Sequence, residues 1–347
     1  MAAEIKSLAE HLPIHRYIVA MHTAIANTVL SATGAQTIRS TSVIQSLWSG
    51  YGEIVRLELA GGKHSSVILK HIKLPEAGSH PRGWNTGRSH NRKIRSYQVE
   101  AHWYQDYAHQ CDANCQVPVC LSVNAVDNET VLVLTDLDAA GFDLRKDTVT
   151  IADIHACLDW LASFHATFLN SPADGLWECG SYWHLQTRPD ELAALEDAGL
   201  RQAAPLIDQQ LQQCRYQTLI HGDAKLANFC FTADAPAPGV AAVDFQYVGR
   251  GCGMKDVAYF LGSCLAEDEC DSLEQPLLDY YFAGLRLRLA QKHPGTDISE
   301  LEAEWRGLFD VAWADFHRFL KGWSPGHWKI NSYSERLTRQ VIRRMKS

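Results

Sequence analysis

The stretch LIHGDAKLANFCF, residues 219–231, constrains this chain more than any other. An apolar run leads into His221-Gly222-Asp223, and Asn228 follows five residues after the aspartate. Phosphoryl transfer needs a carboxylate to orient the acceptor hydroxyl and an oxygen ligand to hold metal, and an H-x-D-x-x-x-x-N loop supplies both. Sixteen residues beyond Asn228 a second apolar run, GVAAVDFQ, ends at Asp244. A carboxylate at the end of a strand suits the Mg2+ that bridges nucleotide phosphates. Each motif alone is weak, because aspartates commonly cap turns and asparagines form Asx-turns. The order and spacing together make the pattern specific.

Upstream residues fall where such a catalyst needs them. Lys70 closes the run Val67-Ile68-Leu69-Lys70, which copies the V-A-I-K pattern of a phosphate-contacting lysine. Glu100, on the helical stretch that follows, is the candidate ion-pair partner, since a buried ammonium needs a counter-charge. Gly50 and Gly52, in the turn Ser49-Gly50-Tyr51-Gly52, are candidates for a loop that covers phosphates. That turn lacks the third glycine of G-x-G-x-x-G and would serve equally as a hairpin turn.

The pattern between these motifs predicts an α+β chain of two lobes around a cleft. The first 30 or so residues have helical spacing, Thr33 to Ser42 is polar, and from Ser46 two β-rich runs flank Gly61-Gly62. Residues 75–95, with Arg82, Arg88, Arg92, Lys93 and Arg95, read as a long basic loop. A helix over Ser96–Ala108 and strands over Gln116–Val126 and Thr130–Thr135 complete a β-rich N-terminal lobe, residues 1–136. Residues 137–347 then form a mostly helical lobe, with helices near 150–170, 189–213, 254–265, 272–293, 298–321 and 333–346. Strands at Gln217–His221 and Val240–Asp244 carry the motifs.

A net charge of -8 argues against a nucleic-acid partner, because backbone affinity requires clustered Lys and Arg. The sequence shows neither a basic leader before an apolar run nor about 18 uninterrupted apolar residues, so no membrane association and a cytoplasmic location are expected. The ten cysteines read as reduced thiols, and Cys111, Cys115 and Cys120 lack the paired knuckles of a structural zinc site.

On these residues the chain resembles the aminoglycoside phosphotransferase and choline kinase superfamily, most closely its ecdysteroid kinase-like branch. HGDAKLAN, VDFQ, Lys255-Asp256-Val257-Ala258-Tyr259-Phe260 and Ala162-Ser163-Phe164-His165-Ala166 carry the resemblance, which runs from about residue 45 to about 330. It implies a protein-kinase-like two-lobed fold with ATP at a hinge near Leu134 to Leu137. It further implies Asp223 as catalytic base, Asn228 and Asp244 as magnesium ligands, and structural roles for His221 and Asp256. Many relatives carry Trp, His or another residue two positions after the catalytic aspartate, where this chain has Lys225, a cation suited to charge developing on the transferred phosphoryl group.

The expected reaction is ATP- and Mg-dependent phosphorylation of a small-molecule alcohol, sterol-like or choline-like. Gly222 replaces the arginine with which protein kinases read a phosphorylated activation loop, and only eleven residues separate Asp244 from Asp256. An acceptor pocket is expected near Trp313, Phe316, Phe319, Trp323 and Trp328, with Asp315 leaving room for a cationic acceptor. The alternatives are a pseudokinase-like nucleotide-binding module and an antibiotic phosphotransferase.

Overall fold

The computed structural model describes residues 23–47, 50–73, 87–126, 129–233 and 238–346. They fall into two compact units, residues 1–85 with 118–140 and residues 86–117 with 141–347. Within the first, helix α1 (Thr23–Thr33) precedes strands β1 (Thr37–Ser46), β2 (Gly52–Ala60) and β3 (Ser66–Lys73), and β4 (Cys120–Val126) and β5 (Glu129–Thr135) follow later in the chain. They form one antiparallel sheet in the order β1-β2-β3-β5-β4.

One face of that sheet is legible as alternation. Val55, Leu57 and Leu59 on β2, Val67 and Leu69 on β3, and Val131 and Val133 on β5 are buried with Ile25 and Val29 of α1. Side chains two apart share a strand face, so these positions form one apolar layer. Lys70 pairs in register with Ile54 and Leu132 and is 5% exposed. Gly50 and Gly52 have positive φ, and a Cβ on Gly52 would lie 2.0 Å from the His71 carbonyl oxygen. Glycine is therefore required at that turn for steric reasons alone.

Two sequence expectations are corrected here. The polar stretch after α1 is the edge strand β1, whose side chains are almost all exposed or half-buried, so it shows no apolar alternation to read. Arg88, Arg92, Lys93 and Arg95 lie on helix α2 (Gly87–His102) rather than in a loop. Their long stems are compatible with a helix surface, and basic charge alone does not distinguish loop from helix. Arg82, Ser49 and most of the leading helix fall outside the described residues.

The second unit contains α2, which carries Glu100 at 2% exposure, and then helices α3 (Ile151–Thr167), α4 (Pro189–Ala194), α5 (Ala198–Gln212), α6 (Met254–Cys264), α7 (Glu267–Lys292), α8 (Ile298–Trp323) and α9 (Ser332–Lys346). Four three-residue strands lie among them: β6 (Thr218–Ile220), β7 (Phe229–Phe231), β8 (Val240–Ala242) and β9 (Gly249–Gly251). β6 pairs with β9 and β7 with β8, both antiparallel. A Thr150–Asp153 capping box starts α3, and Asp197 and Asp297 cap α5 and α8. Trp160 and Phe164 of α3 stack on each other and, with Trp103, surround Phe245. That aromatic cluster fixes the residue next to Asp244 and thereby the end of β8.

Candidate active site

β6 delivers its chain directly into His221-Gly222-Asp223, and the loop's shape is set by one buried carboxylate. Asp256, in the first turn of α6, accepts the His221 N–H on Oδ2 at 2.6 Å and the Gly222 N–H on Oδ1 at 2.9 Å. His165 Nε2 lies 3.2 Å from the same Oδ2, and His165 Nδ1 is 2.8 Å from the Tyr281 hydroxyl. Asp256, His165 and His221 have no measurable exposure, so these bonds replace water that the groups cannot reach. Gly222 sits at φ +77, and a Cβ there would meet the Tyr247 carbonyl oxygen at 2.1 Å. An arginine at this position has no room, which gives a steric reason for the glycine that the sequence alone presents only as a missing arginine.

His221 is held as a specific tautomer. Its Nδ1 accepts the Asp223 N–H at 3.2 Å, so Nε2 carries the proton and donates to the Val243 carbonyl at 3.0 Å. The imidazole thus ties the HGD loop to the residue before Asp244.

Asp223, Lys225 and Asn228 come together at the end of this loop. Asp223 Oδ2 accepts from Lys225 Nζ at 3.1 Å and from Asn228 Nδ2 at 3.1 Å, and Asn228 Nδ2 also donates to the Asp223 carbonyl at 2.7 Å. Asp223 Oδ1 is buried without a hydrogen bond, with Tyr259 beside it. Burial pushes the Asp223 carboxyl above its ordinary range, Lys225 pulls it down, and the nearby Asp244 charge pushes it up again. For Lys225 burial acts against the ammonium, but the Asp223 carboxylate outweighs it and holds the group above the ordinary lysine value.

Asp244 follows β8 at φ +70, in the left-handed region that a non-glycine residue adopts at some cost. Two buried or half-buried carboxylates within electrostatic reach of each other, one with an orphaned oxygen, suit a divalent cation. Asn228 fits the same role, because its amide nitrogen is spent on Asp223 and leaves Oδ1 as the ligand oxygen. Two residues on, Gln246 Oε1 accepts from Lys93 Nζ at 2.7 Å and from Ser96 Oγ at 3.3 Å, so the DFQ run is tied to α2. Lys70, Gly50 and Gly52 belong to the first unit, and Glu100 to the second.

Tyr182 and Tyr259, which sequence reasoning did not place at the site, stand near Asp223. Their hydroxyls are 3.3 Å apart, and burial raises both phenols, with the Asp223 charge adding to the effect. Lys329 Nζ lies over the rings of Tyr259, Phe316 and Trp328 at 5.3, 5.8 and 5.4 Å. Tyr259 lies within the KDVAYF motif, but no local pattern marks Tyr182 or Lys329, which meet it only through the folding of segments far apart in the chain.

Asp315 is corrected. It is fully buried, accepts from Arg318 Nη2 at 2.8 Å and Trp183 Nε1 at 2.9 Å, and lies 3.4 Å from Lys255 Nζ. A carboxylate so fully compensated has no face left for a cationic acceptor. Trp313, Phe316 and Phe319 are buried in the helical core, whereas Trp323 and Trp328 are exposed.

These elements define the protein-kinase-like α+β class of small-molecule kinase folds, with an antiparallel β-sheet unit and a helical unit carrying the HGD loop. Residues 179–292 match the Ecdysteroid kinase-like family model, so the resemblance read from HGDAKLAN, VDFQ and KDVAYF is borne out over about a third of the chain. Among solved structures, the chain is similar to a microcompartment-associated aminopropanol kinase, at 17% identity and TM-score 0.51, with 94% of this chain and 98% of that one covered. It is also similar to an aminoglycoside-3'-phosphotransferase of type VIII, at 17% identity and TM-score 0.40, with 84% and 100% covered. A third similar structure is an aminoglycoside phosphotransferase of Streptomyces rimosus in complex with ADP and streptomycin, at 14% identity and TM-score 0.35, with 74% and 90% covered. At these identities the likeness establishes fold and nothing finer. No curated protein sequence matches the chain. Among the described residues no helix is long and apolar enough to cross a membrane.

Proposed function

We propose that this chain is an ATP- and Mg-dependent phosphotransferase acting on a hydroxyl group of a small molecule. The observation that carries the reading is the Asp223 carboxylate, buried, with one oxygen held by Lys225 and Asn228 and the other bound by no hydrogen bond. In this reading the free oxygen receives the acceptor hydroxyl proton, and its raised pKa favours proton uptake. Lys225 neutralises charge on the transferred group while it orients the base. Asn228 and Asp244 would hold magnesium, which when bound draws the phosphate oxygens together and offsets their charge. Lys70, Glu100, Gly50 and Gly52 are assigned to the nucleotide.

A small acceptor is favoured by the segment between Asp244 and Asp256. Its residues are committed to the Phe245 cluster, strand β9 and the turn into α6, which leaves no platform for an extended peptide. Charge narrows the acceptor further. Asp315 is already neutralised, while Lys225 and Lys329 place cations around Asp223. A neutral or anionic alcohol with an apolar body fits Tyr182 and Tyr259 better than an ammonium compound does.

The test is a screen of ATP consumption across sterol, sugar, choline-like and aminoglycoside alcohols, with mass spectrometry of the product. Asp223→Asn is expected to lose turnover by roughly 10²–10⁴-fold while thermal stabilisation by Mg-ATP persists. An unchanged rate in Asp223→Asn would refute the assignment. Failure of every acceptor class, with nucleotide stabilisation intact, would favour a binding module instead.

A further inference from the structure

Outside the candidate active site, Cys179, His184 and Asp208 offer one ligand atom each, all within 4.8 Å of one another. They come from the loop after Trp177 and from the middle of α5, about 25 residues apart in sequence, so no spacing motif announces them. His184 is 5% exposed and Asp208 7%. Asp208 Oδ1 is buried and makes no hydrogen bond, although His184 Nε2 lies 3.3 Å away. That separation is long for a charge-assisted hydrogen bond. It equals the edge, about 3.3 Å, of a tetrahedron whose N and O ligands each sit about 2.0–2.1 Å from a zinc ion. Gln212 Nε2 donates to Asp208 Oδ2 at 2.5 Å and also lies 3.2 Å from His184 Nε2, so the second oxygen is fixed, the first is left to serve the site, and an entering ion takes the place of the amide at the imidazole nitrogen. Cys179, half-buried, and Gln212 line a cavity of about 190 Å3, which gives room for a water as fourth ligand.

We propose that Cys179, His184 and Asp208 form a site for a divalent metal of zinc type, completed by water from this cavity. A thiolate sulfur excludes magnesium and calcium, which demand oxygen, and the N/S/O set suits zinc. Lys255 shares the cavity wall, and its buried ammonium is offset by Cys179, by Asp315 at 3.4 Å and by Asp208. The ion would clip the 179–184 loop to α5. That loop bears directly on the catalytic segment, since the Ser181 N–H bonds the Tyr247 carbonyl at 3.2 Å and the Tyr182 N–H bonds the Gly222 carbonyl at 3.1 Å. Zinc at this position therefore braces the backbone that positions Asp223.

The experiment titrates the purified full chain with zinc against a chromophoric chelator and records the visible spectrum after cobalt addition. One equivalent is expected to bind, with a thiolate-to-cobalt charge-transfer band. Cys179→Ser should abolish that band and weaken zinc more than tenfold, and Asp208→Asn should weaken it similarly. A Cys111→Ser, Cys115→Ser double variant should bind as the parent does. Should Cys179→Ser fail to fold, zinc must still protect Cys179 of the parent chain from iodoacetamide, read by peptide mass spectrometry. Binding well below one equivalent, affinity unmoved by Cys179→Ser, or equal alkylation with and without zinc would each overturn the site and leave a plain His184–Asp208 ion pair.

Discussion

The inner face of the β-sheet and the HGD loop of the helical unit are both buried, but they are held by different means. In the sheet, Val55, Leu57, Val67, Leu69, Val131 and Val133 share one apolar layer, and no single group determines its shape. In the loop, one carboxylate, Asp256, satisfies two consecutive backbone N–H groups and a histidine, all cut off from water. Apolar layers tolerate substitution in proportion to lost volume, whereas a polar node fails at once when its acceptor is removed. A site that keeps Asp223 and Asp244 in fixed relation is better built on the second.

The comparison is broken most directly by removing the node. Asp256→Ala strands the His221 and Gly222 N–H groups and His165, and is expected to cost about 3–5 kcal/mol. Hydrogen exchange should rise first over residues 218–228, and sheet residues 52–73 should keep their protection. Faster exchange in the sheet and none in the loop would contradict the assigned role. Leu57→Ala is the matched probe of the other regime. Leu57 has no measurable exposure, and the cavity left behind should cost about 3 kcal/mol. Leu57→Met, which nearly conserves volume, should recover most of that loss in chemical denaturation. No comparable rescue is expected at Asp256, because Asn presents only one acceptor oxygen.

The same contrast explains what could be read from the chain alone. The alternation of β2, β3 and β5 is a local property, as is the HGD-to-Asn spacing, so both are visible in sequence. Long helices such as α8 declare themselves by apolar spacing. Strand β1 is hidden because an edge strand with two solvated faces has no alternation, and the start of α2 is hidden under its basic side chains. Tyr182, Lys329 and the Cys179–His184–Asp208 cluster are assembled by tertiary contacts between distant segments, and no window of sequence contains them. Asp315 misleads for a related reason. Its neighbours in sequence are aromatic, while the partners that neutralise it, Lys255 and Trp183, come from elsewhere.

Charge gives smaller effects and a sharper version of the comparison. In the sheet unit, burial pushes the Asp136 carboxyl up, but Arg56 Nε at 2.7 Å and Ser66 Oγ at 2.7 Å outweigh it and hold the group below its ordinary 3.8. A carboxyl depressed in the folded state contributes stability that is complete above that value and lost as pH falls through the folded one. Arg56→Ala should therefore cost about 1 kcal/mol at neutral pH and flatten the acid limb of a stability curve below pH 4. An acid limb identical to the parent's would remove Asp136 as its source.

Lys329 gives stability that also rises with pH, but at the other end of the scale and because its charged form is the disfavoured one. Burial pushes its ammonium down to about 8, with Lys225 adding to the effect and Cys264 and Asp223 opposing it. An unfolded lysine keeps its proton to about 10.4, so between pH 8 and that point the unfolded chain binds the extra proton. Stability contributed at this position accordingly rises with pH across that window, and is lowest below pH 8, where the folded chain must hold the buried charge. The rings of Tyr259, Phe316 and Trp328 offset part of the cost. Lys329→Met should thus raise the melting temperature only slightly at pH 7, by about 2 °C, and should abolish the rise between pH 8 and 10. A variant that melts lower than the parent at pH 7 would mean that the ammonium is stabilising where it sits, with the attraction of the three rings outweighing the loss of water.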